Sequence, residues 1–373
     1  MKTAISVLRR SVLGKVLALS AVLVLLGVAG GIITNNVMAN RAYDRERAQR
    51  IDTFSTRIDQ KLQIQQSVAE QLATFVANQP DVQKAFAERD REALSALMLP
   101  SFKQLKADYG MAQFQFHTAP ATSFLRLHKP EKFGDDLSSF RFTVVEANKQ
   151  HKLIAGVESG VAGLGVRAVI PVDYQGKAVG TVEFGGSLGE AFLEQLTMDA
   201  SVGATLYFPS AEDPATLESL ASTLDENFPV DSADLASAIG GTVVNEDLDY
   251  NDKPFILHYH PVTDFQGETA AVVVVALDAS DLVQARDAAT VFGLKYGIGL
   301  FVFGIALAIG LAMLISRSIT HPVREMSHLL GQVAKGNFAV RARTSGDPAV
   351  ATMADRLNAT LESIATAMKG VIG

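Results

Sequence analysis

The chain has no cysteine among its 373 residues, which excludes disulfides, thiolate metal sites and covalent haem attachment. Positive charge is in deficit as well: the formal net charge is −7 and the basic residues form no stripe, so nucleic-acid binding is set aside. Patterns that carry chemistry are equally scarce. The sequence offers no Ser/His/Asp set, no metal-ligand spacing and no phosphate loop on a strand-to-helix turn. Gly163-Leu164-Gly165 is followed by neither a helix start nor a phosphate-gripping lysine, and reads as a bend or bulge. No catalytic residue, metal or cofactor is assigned.

What is present begins with two apolar runs, Val16 to Ile33 and Tyr296 to Ile315, neither containing a charged side chain. Each has about the 20 residues that a helix rising 1.5 Å per residue needs to cross a bilayer. Lys2, Arg9, Arg10 and Lys15 give the first run the basic leader of a signal peptide. Gly30-Gly31-Ile32-Ile33-Thr34 nevertheless passes into a polar helix without a small-x-small cleavage site, so an uncleaved anchor is preferred. Four basic residues precede the first span, and Arg317 and Arg324 follow the second, which puts both ends in the cytoplasm; Arg41, Arg45 and Arg47 pull the other way. The expected order is a cytoplasmic segment 1–15, a transmembrane helix 16–34, an extracytoplasmic region 35–295, a transmembrane helix 296–315, a cytoplasmic coupling unit 316–368, and the start of an output helix at 369–373. The setting is then the inner (cytoplasmic) membrane, crossed twice, with the large region periplasmic or extracellular.

From Asn35 to Ala77, Ile51, Phe54, Ile58, Leu62, Val68, Leu72 and Phe75 recur mostly three and four apart, the spacing of a long amphipathic helix. Asn78-Gln79-Pro80-Asp81 stops it. Beyond serving as scaffold, this helix is a candidate dimer interface. A second helix is expected over Asp81 to Asp108, closed by Tyr109-Gly110. Strand-like runs follow at Met111 to His117, Ser123 to His128, Leu153 to Val157, Gly165 to Val172 and Ala178 to Phe184, with Asp173-Tyr174-Gln175-Gly176 as a hairpin turn. After a short helix, Leu188 to Leu196, similar elements recur: Ser201 to Phe208, a helix near Ala215 to Leu224, Gly241 to Asn245, Phe255 to Val262 and Thr269 to Leu277. The fold class is α+β. Two tandem α/β modules stand on a long N-terminal helix, a distal one over about 81–197 and a proximal one over about 198–285.

Polar groups collect in the distal module. Period-2 alternation sets Gln113, Gln115 and His117 opposite Phe114 and Phe116, and Phe124, Arg126 and His128 opposite Leu125 and Leu127. Arg167 alternates with Val166 and Ala168, and Glu183 sits between Val182 and Phe184. A guanidinium on a half-buried sheet must find acceptors, and its planar fork suits a carboxylate or phosphate. The expected ligand is a small anion or zwitterion, and the candidate contacts are Gln115, His117, Arg126, His128, Arg141, Arg167 and Glu183. Alternatives stay open: Arg126 paired with Asp135 or Asp136, and Arg167 with Glu183, as internal ion pairs that fix loops. His117 and His128 have no third metal ligand in a recognisable spacing, and His258-Tyr259-His260 reads as an ordinary sheet surface.

The long first helix, Phe114-Gln115-Phe116-His117, the stretch Ser123 to Leu137, and the later Gly-Leu-Gly-Val-Arg and Gly-Thr-Val-Glu-Phe-Gly runs resemble the double Cache, PAS-like sensor domains of bacterial chemoreceptors and sensor kinases over roughly residues 37–290. The resemblance implies an extracytoplasmic small-molecule pocket, usually in the distal module, without naming one ligand. Beyond the second span, Ile319, Val323, Met326, Leu330 and Val333 step by four, three, four and three, a heptad seam. Pro322 lies near its start, Gly336-Asn337 closes it, Phe338 opens a connector, and Val350, Met353, Leu357, Ile364 and Val371 repeat the spacing. Two such helices need a second chain to cover their seams, as a parallel four-helix coiled coil. This resembles a HAMP domain, although Gly346-Asp347-Pro348-Ala349 departs from the family's acidic-apolar-glycine motif. Pro322, Gly336 and Phe338 are the candidate signalling positions. The expected protein is a homodimeric transmembrane receptor of the methyl-accepting chemotaxis type, acting on cytoplasmic partners through an output domain that is missing from the sequence or separate. The input region of a sensor histidine kinase or diguanylate cyclase is the nearest alternative. A membrane-anchored extracytoplasmic enzyme and a structural or adhesive membrane protein are the alternatives of other classes.

Overall fold

The computed structural model describes residues 12–160, 163–198, 201–210, 216–343 and 347–372. Helix α1, Val12–Ala77, runs unbroken from the first apolar run into the amphipathic segment. Its end is set locally: the Asn78 side chain turns back to donate to Thr74 O at 2.8 Å, and Pro80 cannot continue the ladder. Proline starts α2, Pro80–Ala87. The sequence predicts one helix over 81–108, but the structure has two, because Arg89 adopts φ 59° and Asp90 then caps α3, Arg91–Tyr109, accepting from Ala93 N–H at 2.9 Å. Gly110 closes α3 at φ 68°, a left-handed position that glycine takes without a Cβ penalty.

The first module continues with β1 (Gln113–Thr118), β2 (Thr122–Arg126), α4 (Phe142–Gln150), β3 (Ile154–Gly160), β4 (Gly163–Tyr174) and β5 (Lys177–Ser187). The second follows α5 (Glu190–Leu196) with β6 (Val202–Pro209), β7 (Leu217–Ser222), α6 (Ser232–Ile239), β8 (Val244–Tyr250), β9 (Lys253–Thr263) and β10 (Thr269–Asp278). Both sheets are antiparallel with one strand order, β2-β1-β5-β4-β3 and β7-β6-β10-β9-β8. The second module therefore repeats the topology of the first, strand for strand. The hairpin between β4 and β5 turns through Gln175 (φ 50°) and Gly176 (φ 74°) as its sequence predicts. Three further elements differ from expectation. The helix expected near Ala215 to Leu224 is the edge strand β7, and α6, capped by the Asp231 carboxylate on the N–H groups of Ala233 and Asp234, is unanticipated, as is α4.

Each sheet is covered on both faces. In the first module, the end of α1 with α2 and α3 buries Phe86, Leu94 and Phe102 against Phe114, Phe116 and Phe184; Phe114 and Phe184 stack at 4.0 Å. In the second, the middle of α1 and α5 supply Ile58, Phe192 and Leu193 against Ile256, Val273 and Val275, while α6 covers the opposite face. His258 and His260 are not an open surface: both are buried, and His260 engages Ser55 at 3.1 Å and Asp59 at 3.0 Å on α1.

The chain forms two compact units, 43–284 and the combination of 1–42 with 285–373. In the latter unit, α7 (Ser280–Ile315) passes through a five-residue π-helical turn, Ser316–Thr320, into α8 (His321–Val333), and α9 spans Pro348–Ile372. Both α1 and the α7 to α8 helix are long and apolar enough to cross a membrane. Glycines of α7 receive side chains of α1: a Cβ on Gly297 or Gly304 would lie 2.7 Å from Ile32 or Val24, and one on Gly293 would overlap Asn35. Asn35 also donates to Ala289 O at 2.9 Å. Small residues permit this close approach between apolar helices. Between α8 and α9, Asn358 holds the connector by both amide groups, accepting from Ala342 N–H at 2.7 Å and donating to Ala342 O at 2.8 Å.

Candidate functional site

Alternation along β1 divides its side chains as the sequence predicts: Phe114 and Phe116 enter the core under α2 and α3, while Gln113, Gln115 and His117 take the other face. Register across the sheet then gathers polar groups. Gln115 stands opposite both Glu183 on β5 and Arg126 on β2. One correction applies to β2. A register shift between Phe116 and His117 leaves Phe124 out of alternation, and its ring lies 5.3 Å from Phe86 on the apolar side, away from the face of Arg126.

On that face lies a cavity of about 210 Å³, with Gln115, Arg126, His128, Arg141 and Arg167 in its wall. His117 and Glu183 do not reach it; both are completely buried beneath. Five of the seven candidate contacts therefore share one wall and two support it. Gln113, Lys129, Lys132, Leu137, Phe140 and Gly160 complete the surround, with Asp135 its one carboxylate.

An ion network underlies the wall. Glu183 accepts from Arg141 Nη2 at 2.5 Å, Gln115 Nε2 at 3.1 Å and Arg167 Nη1 at 3.3 Å. Glu158 accepts from Arg141 Nε at 2.8 Å and from the Thr143 N–H and hydroxyl, each at 2.7 Å. Arg141 precedes the first turn of α4, so this helix brings both the guanidinium and the Thr143 amide to Glu158. Arg167 Nη1 also donates to Gln113, whereas its buried Nε makes no hydrogen bond and lies 3.8 Å from Glu158 Oε2. Arg126 forks Asp135 at 2.6 and 2.7 Å and donates to Lys132 O at 2.9 Å. Both internal pairs left open by the sequence are thus formed.

Burial alone would raise Glu183, but Arg141 and Arg167 overcome it and hold the carboxyl at about 2. His117 is pushed down to about 3 by burial, reinforced by the three arginines against the opposing pull of Glu183. His128 is lowered, again mainly by burial. Positive charge at this wall accordingly comes from arginine and lysine. Burial and the neighbouring Arg141 push Arg167 below its ordinary value. Gln115 Oε1 and His128 Nδ1 are buried without hydrogen-bond partners.

Glu158 is the participant that sequence reasoning missed. The strand was expected to end at Val157, one residue short, although alternation from Gly156 already put residue 158 on the Arg167 side. Lys129 and Lys132 lay within the quoted Ser123 to Leu137 stretch without being singled out. Among the described residues, no three His, Asp or Glu side chains converge to hold a metal. Pro322, Gly336 and Phe338 lie in the other unit: Pro322 is buried in the first turn of α8, Gly336 takes φ 90°, and Phe338 is half-buried in the connector.

Residues 40–283 match the dCache_3 family, described as the double sensory domain of two-component sensor kinases. The chain belongs to the dCache_3 family. Its dCache_3 region takes in both sheets and the cavity wall. No curated protein matches the chain in sequence. Among solved structures, the dCache_3 chain is similar to the sensory domain of the Campylobacter jejuni chemoreceptor Tlp3 with isoleucine bound, at 12% identity over 67% of this chain and 98% of that one, TM-score 0.44. It is also similar to the sensor domain of the V. cholerae histidine kinase DctB, at 11% identity over 65% and 98%, TM-score 0.41, and to the periplasmic domain of Vibrio cholerae LuxQ, at 14% over 61% and 96%, TM-score 0.35.

Proposed function

We propose that this dCache_3 chain is a homodimeric transmembrane receptor. It binds a small anion or zwitterion in the first-module cavity, outside the cytoplasmic membrane, and conveys occupancy through α1 and α7 to a HAMP-type bundle at 316–368. The observation that carries this reading is the cavity wall: Arg126, Arg141 and Arg167, with Lys129 and Lys132, face about 210 Å³ of space over a buried ion network. The volume is below the ~300–1,000 Å³ of sites for drug-sized ligands, which suits a compound of amino-acid size with one or two acid groups. Gln115 Oε1 is the acceptor for an ammonium, should the ligand carry one.

Two further observations support dimerisation. Ile319, Val323, Leu330, Met353 and Ile364 are exposed along the seams of α8 and α9, and Ile64, Val68 and Phe75 are exposed on α1; apolar side chains at such spacing are covered by a second copy. Ligand occupancy shifts the output only by its difference in affinity between two helix arrangements, typically ~1–3 kcal/mol. A chemotaxis output is the first reading. A sensor-kinase output is the second, favoured by the description of the family.

A thermal-shift screen of segment Asn36 to Asp287 against organic acids, amino acids, amines, purines and sugars tests the receptor. The expected result is stabilisation by one acidic class, lost in Arg126→Ala, with the compound recovered unchanged. Conversion of the compound would make the protein an enzyme, and silence across the panel would turn the reading to a protein partner.

A further inference from the structure

The reading above places 316–368 on the cytoplasmic side. Resting on it, we propose that the outer face of this unit holds the phosphate of an anionic phospholipid headgroup. A groove of about 350 Å³ there is lined by His321, Arg324, His328, Arg341 and Arg343, with Glu325 the acidic member. Glu325 lies 3.7 Å from His321, and Arg324 and Arg343 form no ion pair among the described residues. Asp347, the other nearby carboxylate, caps the Ala349 N–H.

The groove stays open in a dimer. At about 100° per residue, His321, Arg324, Glu325 and His328 project from the side of α8 opposite the seam Ile319-Val323-Met326-Leu330-Val333. Covering the seam with a second copy leaves this face untouched.

Its height fits a headgroup. His321 and Arg324 follow Ile315, the end of α7, by six and nine residues, or about 9 and 14 Å along a helix. Helical side chains lean toward the N-terminus, here back toward the span, and the polar zone of a bilayer extends about 5–7 Å beyond the hydrocarbon. A long arginine stem closes the remaining gap. The chain returns to the same level at Asp347, whose N–H donates to Ser318 O at 3.1 Å, beside the first residues below the span. Arg341 Nη1 donates to Phe338 O and Val340 O, both at 2.9 Å, which fixes its guanidinium at the rim. Three guanidiniums then converge where the cytoplasmic leaflet presents phosphate, and the fork geometry suits a phosphate oxygen pair.

The test uses the full-length chain in mild detergent, titrated with phosphatidylglycerol or phosphatidylcholine, with bound lipid counted by native mass spectrometry. The parent is expected to retain phosphatidylglycerol in preference. Arg324→Gln with Arg341→Gln and Arg343→Gln lowers that retention about fivefold per guanidinium, on the order of a hundredfold together; lysine at all three positions keeps most of it, which rules out loss of fold as the cause. Equal retention of the two lipids, or a triple glutamine variant that holds phosphatidylglycerol like the parent, would overturn the proposal. Displacement of phosphatidylglycerol by millimolar inorganic phosphate would overturn it in favour of a soluble anion. The thermal shift caused by a sensor ligand, read on the same samples, depends on the first-module cavity. Its absence beside intact lipid preference would fault the receptor reading alone.

Discussion

The two modules share a strand order but not a chemistry. On the sheet face beneath α4, the first module buries Gln115, Glu158, Arg167 and Glu183. The corresponding face of the second, beneath α6, buries Leu257, Tyr259, Val272, Val274 and Ala276, sealed by the rings of Phe228, Tyr250 and Phe255 at 4.9 to 5.4 Å. One topology therefore supports either a charged wall beside a cavity or a filled apolar core. Burying ions is costly and often adds no stability over a packed core, so the contrast supports the proposal that the first module is the one that binds ligand.

The sharpest break in this comparison is Glu183→Ala. It leaves Arg141 and Arg167 under-compensated in a buried site and is expected to destabilise the 43–284 unit by about 3–5 kcal/mol in denaturant titration. A cost near that of an ordinary small core truncation would erase the distinction between the modules. Next in size, Arg126→Ala removes a wall guanidinium whose partners are the half-exposed Asp135 and the Lys132 carbonyl. An identified anionic ligand should bind about 10- to 100-fold more weakly, the equivalent of ~1.5–3 kcal/mol, with little change in the unliganded melting temperature.

Acid treatment probes both modules together. His117 is held at about 3 and His258 at about 4, each chiefly by burial, whereas both return to an ordinary value of about 6.5 when unfolded. The unfolded chain thus binds more protons below that value. The stabilisation is fully present above about pH 6.5 and is lost as pH falls toward 4 for His258 and toward 3 for His117, at up to about 1.4 kcal/mol per pH unit for each histidine. His117→Gln should flatten the first-module share of that slope, and a slope unchanged by it would place His117 in water. The smallest effect is expected from Tyr259→Phe. Its hydroxyl donates to Glu246 at 3.2 Å and accepts from Asp231 N–H at 3.3 Å, so stability should drop by about 1 kcal/mol, with ligand affinity untouched.

Periodicity made much of this legible. The end of α1 at Asn78-Gln79-Pro80, the closure of α3 at Gly110 and the two faces of β1 all follow from local rules, because helix stops and strand alternation are properties of a few neighbouring residues. Where tertiary pairing competes with local pattern, the reading fails. Leu217, Leu220, Ala221 and Leu224 are spaced as on a helix, yet pairing with β6 makes Leu217–Ser222 an edge strand. Arg126 and Arg167 stand out in the sequence because arginine on an apolar strand is conspicuous. Glu158 does not, since its role depends on Arg141 and Thr143, which α4 brings from outside the strand.

The three glycines of α7 that receive side chains of α1 also limit how far these helices can slide. With Asn35, Ile32 and Val24 seated at Gly293, Gly297 and Gly304, the first two notches stand four residues, or about 6 Å, apart along the helix. Sliding α7 past α1 by an intermediate amount would press side chains onto the ridges between notches. The pair behaves as a latch with widely spaced stops, so a stroke that leaves it engaged is either well under 6 Å or a pivot about those three contacts.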